Sequence, residues 1–174
     1  QAFPLQVIFQ MKGGKPQIVT VEPTDAQLDE AVKWKNLLDD FKNWSREDKR
    51  AAPVPLLYTQ LAKFISMDMR MVDGSVTEEE AGRKLSTCAE KVKAIYDESN
   101  AMKGVQAIFS DAKNSWEVGG KAWASMVDMQ GGDPNFNAFE EIKRKLVKAG
   151  IPEQEVVIID EIPNNDDAKE DLFT

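Results

Sequence analysis

Two kinds of hydrophobic pattern succeed one another along the chain. Residues 5–11 (Leu-Gln-Val-Ile-Phe-Gln-Met) and 17–22 (Gln-Ile-Val-Thr-Val-Glu) are rich in β-branched and aromatic residues, and Gly13-Gly14 between them is a hairpin signal. Pro23-Thr24-Asp25 ends the second run. Thr24 and Gln27 have the spacing of a capping box, in which each side chain satisfies an orphan amide of the other residue. A helix is predicted from there to about Trp44, with Leu28, Ala31, Val32, Lys35, Leu38 and Phe41 along one stripe. Residues 45–55 are polar, basic and proline-bearing, which predicts a loop. A second helix over 56–67 places Leu57, Leu61, Phe64 and Ile65 on one side, and residues 68–74 form a turn-like exit. The acidic stretch 75–81, with Thr77 as cap and Glu80 three residues on, opens a third helix. Leu85, Cys88, Ala89, Val92, Ile95 and Tyr96 mark its buried face.

The pattern changes after Asn100. Val105-Gln106-Ala107-Ile108-Phe109 is a short apolar run of the kind buried in a parallel sheet. Residues 110–135 are polar and glycine-rich, with a short helix predicted around Trp123. Residues 136–149 are strongly amphipathic: Phe139, Ile142, Leu146 and Val147 lie on one side, and Glu140, Lys143, Arg144 and Lys148 on the other. Gly150 and Pro152 supply the stop. Residues 156–159 make a second apolar strand, and 165–173 begin another helix. The expected fold is therefore α/β: a helical region with an N-terminal β-hairpin, then an incomplete βαβα unit with parallel strands and a right-handed crossover.

Composition narrows the chemistry. The chain has 174 residues, 42% of them hydrophobic and 30% charged, which suits a domain able to bury its own core. Its net charge of −8 argues against a dominant electrostatic grip on nucleic-acid phosphates. Histidine is absent and Cys88 is the single cysteine. That removes Ser-His-Asp and Cys-His catalysis, His-ligated zinc and any internal disulfide. No apolar run approaches the roughly 20 residues needed to cross a bilayer, and no secretory leader is visible, so a cytoplasmic location is expected. The chain opens without methionine and stops inside a helical pattern, which reads as a piece of a larger protein.

Several motifs admit two readings. Val156-Val157-Ile158-Ile159-Asp160-Glu161 has the form of a Walker B strand, but no G-x-x-x-x-G-K-[ST] loop accompanies it. A core strand ending in acidic loop residues is the better account. Gly119-Gly120 and Gly131-Gly132 suit turns more than ligand hinges. Lys49-Arg50 and Lys143-Arg144-Lys145 are candidate phosphate contacts, or simply solvated basic faces. Cys88 sits on an apolar face with no histidine to activate it, so a buried inert thiol is expected. Trp34, Trp44, Trp116 and Trp123 are too scattered for a base-stacking platform. No paired carboxylates adjoin an inferred pocket.

Three segments resemble one family. They are Val19-Thr20-Val21-Glu22-Pro23-Thr24-Asp25-Ala26-Gln27; the stretch from Lys63 ending Met67-Asp68-Met69-Arg70-Met71-Val72-Asp73; and the pair formed by residues 105–111 and 136–153. Together they are similar to superfamily-two helicase-like ATPases of phages and conjugative elements. These are Swi/Snf-type motors with two RecA-like lobes, often fused to an adenine-specific DNA methylase and including anti-restriction proteins. The resemblance implies that residues 1–100 are an inter-lobe hairpin and helices, and that 101–174 are the truncated first half of the second RecA-like lobe. It implies ATP and magnesium in the parent protein, with no cofactor or metal site in this chain. It also implies partners in DNA, reached through the parent, and in the remaining helicase lobes. Catalytic residues are not expected here, because the phosphate loop and the arginine-finger segment are both missing. Ser110 and Asp111, at the carboxyl end of a sheet strand, and Lys143 are the residues expected nearest nucleic acid. An exposed sheet edge would favour self-association. The rival reading is an acidic protein-interaction module with no nucleotide chemistry.

Overall fold

The computed structural model describes residues 17–51, 54–102, 104–110, 131–133 and 135–162. The described residues hold five α-helices: α1 (Asp25–Phe41), α2 (Arg46–Ala51), α3 (Val54–Met67), α4 (Lys84–Ser99) and α5 (Ala138–Lys148). Short 3-10 turns separate some of them. α1 packs on α3, α3 touches α4, and α4 packs on α5. Helices on both sides of residue 100 thus bury their faces in one cluster, which runs from Trp34 through Leu61, Phe64, Leu85 and Val92 to Ile142 and Leu146.

Each helix start has a local cause. At α1 the capping box is complete: Thr24 Oγ1 accepts from the Gln27 amide at 3.3 Å, and Gln27 Oε1 accepts from the Thr24 amide at 3.0 Å. Gln27 then donates through Nε2 to the Ile65 carbonyl of α3, and Thr24 donates to the Glu80 carbonyl at 2.7 Å. Those contacts fix the rotation of α1. Its buried positions are Gln27 and Trp34, whereas Leu28 and Val32 of the predicted stripe are exposed. The stripe was therefore read one residue out of phase, because a polar residue and a tryptophan hold the inward face. α5 begins at Asn137, whose side chain accepts from the Phe139 amide at 2.9 Å. It ends in a Schellman closure: Ile151 donates to the Leu146 carbonyl at 3.1 Å and Gly150, at φ 95°, donates to that of Val147 at 2.9 Å. Ile151 and Leu146 are both buried, which is the apolar contact this motif carries.

Three expectations need correction. The first concerns the α/β fold itself, since no β-strand occurs among the described residues. Residues 1–16, which include the first hairpin run, and residues 163–174 lie outside them; residues 18–24 have no regular structure. Residues 104–110 are irregular and pair with no other described segment. Residues 156–158 lie between two 3-10 turns, Glu153–Glu155 and Ile159–Glu161. A short run rich in apolar and β-branched residues specifies local extension and partial burial, and a strand additionally needs a ladder partner. The parallel βαβα unit, RecA-like or otherwise, is absent from the described residues for that reason.

Second, part of the loop predicted over 45–55 is α2, started by Ser45, whose Oγ accepts from the Asp48 amide at 3.1 Å. Third, α4 starts at Lys84 and not in the 75–81 stretch. Thr77 and Glu80 do bond reciprocally, with the Thr77 amide donating to Glu80 Oε2 at 2.9 Å and the Glu80 amide to Thr77 Oγ1 at 3.4 Å. They close an isolated turn because Gly82, at φ 110°, breaks the helical path before Lys84.

Gly82 also yields a test. A Cβ at this position would sit 2.6 Å from Gln27 Nε2, whereas one at Gly150 would meet open space. Gly82→Ala therefore incurs left-handed strain and displaces the amide that ties α1 to α3. Gly150→Ala incurs the strain alone, roughly 1–2 kcal/mol. Urea unfolding should show Gly82→Ala to be clearly the more destabilised of the two. Equal midpoints would mean that the Gln27 contact contributes nothing.

Candidate functional site

The densest group of charged side chains lies where the exit of α3 meets α5. α3 stops at Met67, and Asp68 caps the following 3-10 turn by accepting from the Arg70 amide at 3.0 Å. This geometry turns the Arg70 side chain back onto its own cap. Nε of Arg70 donates to Asp68 Oδ1 at 2.9 Å and Nη2 to Asp68 Oδ2 at 2.7 Å, a two-pronged guanidinium–carboxylate contact. The same Nη2 reaches Glu141 Oε1 at 3.0 Å, across 71 positions of sequence. The guanidinium carbon stands 4.6 Å from the centroid of the Phe136 ring, within cation–π range. The Arg70 carbonyl accepts from the Asp133 amide at 3.0 Å, so backbone and side chain both bind the approach to α5.

Glu141 is the second centre. It is 7% exposed, and Asp68 only 1%. Beside Arg70 it takes Arg144 Nε at 2.7 Å, Arg144 Nη2 at 2.8 Å and Lys145 Nζ at 3.2 Å. Arg144 and Lys145 also hold Glu78, the former at 2.9 Å, tying the 77–80 turn to α5. Three carboxylates face three cations, and every one of them has a partner. Glu141 is held down at a pKa of about 2, because hydrogen bonds from Arg144 and Arg70 outweigh the upward push of burial. For Asp68 burial is the stronger effect and raises its pKa, with the Arg70 contact pulling the other way.

Chemically this is a clamp. Glu141 accepts four contacts, as many as a carboxylate has acceptor sites, and so is committed to fastening. Among the described residues no group of three or more His, Cys, Asp or Glu is placed to hold a metal ion. Cys88 is buried on α4, and burial pushes its thiol up to about 11, the inert state its position in the sequence implied.

Of the residues expected near nucleic acid, Ser110 is half-buried at the end of the irregular segment 104–110. Lys143 lies on α5 and pairs with Glu161 at 4.0 Å. Asp111 lies outside the described residues, as do Trp116, Trp123 and Gly119-Gly120. The basic triplet 143–145 is engaged with carboxylates of this chain and is not a bare cationic face. Sequence reasoning missed the Arg70–Glu141 clamp. Its local half was visible as the D-x-R spacing of Asp68 and Arg70, but Glu141 was read only as one more acidic residue in an amphipathic helix.

Removing Arg70 would leave Asp68 and Glu141 as facing buried carboxylates. Arg70→Ala should lower unfolding stability by about 3–5 kcal/mol, and Arg70→Lys should recover only part of it, because an ammonium cannot make the two-pronged contact. The linkage sign for Glu141 follows from its depressed pKa. Its contribution is fully present above the unfolded value of about 4.5 and is lost as pH falls toward 2. Asp68, with its pKa raised, acts in the opposite sense over the acid range, so the wild type alone would blur the effect. The gap in urea midpoint between wild type and Glu141→Gln isolates it: widest near pH 7, closing toward pH 2. A gap independent of pH would show that the charge of Glu141 is not what holds α5. Among the described residues no helix is long and apolar enough to cross a membrane. No protein-family model, no curated protein and no solved structure matches this chain.

Proposed function

We propose that this chain is a non-catalytic, load-transmitting part of an ATP-driven, DNA-tracking helicase-like protein of a phage or conjugative element, acting in the cytoplasm. One observation supports the reading above the others. Two of the segments that carry the resemblance, residues 63–73 and 136–153, are far apart in sequence yet meet through Arg70, Glu141 and Phe136. Motors convert nucleotide chemistry into movement through elements that do not yield, and a saturated ionic clamp between two elements suits that role. ATP and magnesium belong to the parent protein in this reading, and so does the main DNA grip. The chain's own charge is −8, and its basic triplet is occupied internally.

The test is to read the coding sequence on both sides of these 174 codons and to assay the encoded protein. The motor reading expects a G-x-x-x-x-G-K-[ST] loop upstream and a Q-x-x-G-R-x-x-R segment downstream. It also expects DNA-stimulated ATP hydrolysis by the longer protein and none by residues 1–174 alone. A stop codon directly after Thr174, or a longer protein without nucleotide hydrolysis, would sink it. The acidic interaction module would then be the better account.

A further inference from the structure

One carboxylate of the ionic cluster differs from the other two. Asp68 and Glu141 are buried, whereas the Glu78 side chain is 48% exposed. It stands on a turn that keeps its shape without it. Within that turn the Thr77 amide and hydroxyl both donate to the Glu80 carboxylate, and the Ala81 amide donates to the Thr77 carbonyl at 2.9 Å. Neighbouring elements grip the turn by its backbone: Thr24 Oγ1 donates to the Glu80 carbonyl at 2.7 Å, and the Met69 amide to that of Ala81 at 2.8 Å. The Glu78 side chain takes no part in these bonds. It lies across α5, where Arg144 Nη2 donates to its Oε2 at 2.9 Å and Lys145 Nζ to its Oε1.

Withdrawing Glu78 would strand no buried ion. Asp68 keeps Arg70; Glu141 keeps Arg70, Arg144 and Lys145. An ion pair with a half-exposed partner contributes little to folding, and rotation of one side chain suffices to open it. What changes is the balance of charge. With Glu78 in place three cations face three carboxylates; with it turned out, Arg70, Arg144 and Lys145 face only Asp68 and Glu141. The uncovered charge lies on a guanidinium and an ammonium already aimed at the two oxygens of one anion. Phosphate oxygens accept from the same donors. The geometry points to a phosphate-binding pair, Arg144 and Lys145, that Glu78 occupies from within as a stand-in for the ligand. The 77–80 turn is thus an autoinhibitory contact, and the pair stays closed until a phosphate group displaces the carboxylate. The inference does not depend on the motor reading, since inorganic phosphate and a nucleic-acid backbone both present the required group.

The test compares the 174-residue chain with its Glu78→Gln variant, which removes one charge at an exposed position and leaves the backbone bonds of the turn intact. Inorganic phosphate is titrated against each while nitrogen-edited NMR follows the Arg144 Nε–H signal. Glu78→Gln should bind phosphate several-fold more tightly than the wild type. Adding Arg144→Gln to Glu78→Gln should abolish the gain. Adding Lys145→Gln instead, read by amide shifts along α5, serves the same purpose if the first double variant loses its helical circular dichroism. A single-stranded DNA oligonucleotide titrated in parallel identifies the source of the group. Binding tighter than that of phosphate and weakened by salt assigns it to nucleic acid, and no advantage over phosphate assigns it to the free ion. Two results would overturn the inference. Equal affinity of wild type and Glu78→Gln, or binding by neither, would mean that Glu78 holds no ligand out. A gain that survives both double variants would place the phosphate elsewhere on the chain.

Discussion

A guanidinium held between two carboxylates that have left water is expensive to assemble and more expensive to disrupt. Desolvating each ion costs several kcal/mol, and only close geometry with saturated partners offsets it. Arg70 meets that condition because its backbone is fixed first. Asp68 caps the turn through the Arg70 amide, and the same carboxylate then receives the side chain. Glu141, carried on α5, takes a second hydrogen bond from the same Nη2 that holds Asp68. The order of causes runs from a local turn to a long-range contact. Met69 and Met71, next to Arg70, and Ala138 and Ile142, on the helix that carries Glu141, belong to one buried hydrophobic cluster.

The clamp also sets the character of the surface. Arg144 and Lys145 have an obvious use for a phosphate, yet Glu78 and Glu141 occupy them. Competing for Arg144 means breaking contacts of 2.7 and 2.8 Å to the buried Glu141 and one of 2.9 Å to the exposed Glu78. A basic triplet read from sequence is thus an internal fastening in the fold. In a chain of net charge −8 this triplet therefore offers a polyanion little free positive charge.

What could be read from the sequence follows from the range of each interaction. Signals complete within about two helical turns were legible: the Thr24–Gln27 box, the Gly150–Pro152 stop, and the i, i+3, i+4, i+7 face of Leu85, Cys88, Ala89 and Val92. The Ser45–Asp48 cap was as local as these, but the basic, proline-bearing composition around it pointed to a loop. The rotation of α1 was not legible, because it depends on Gln27 finding the Ile65 carbonyl 38 residues away. Nor was the site, since neither Arg70 nor Glu141 is distinctive until the two meet. The strands failed for a related reason. The run at 105–109 and that at 156–159 have the right composition, but pairing is a property of two segments and neither sequence names its partner.

That asymmetry separates the helices from the extended segments. A helix satisfies its backbone internally, so α4 and α5 need only an apolar face and two ends to be placed. An extended segment satisfies nothing by itself. At 105–109 the inward Gln106 is anchored on α4 and Ile108 packs on the core, while Val105 and Phe109 are exposed. A side chain can be left exposed at modest cost, and a backbone amide in water is hydrated and costs little. The segment therefore holds its place through its inward side chains alone, where a helix holds its place through its own backbone ladder as well.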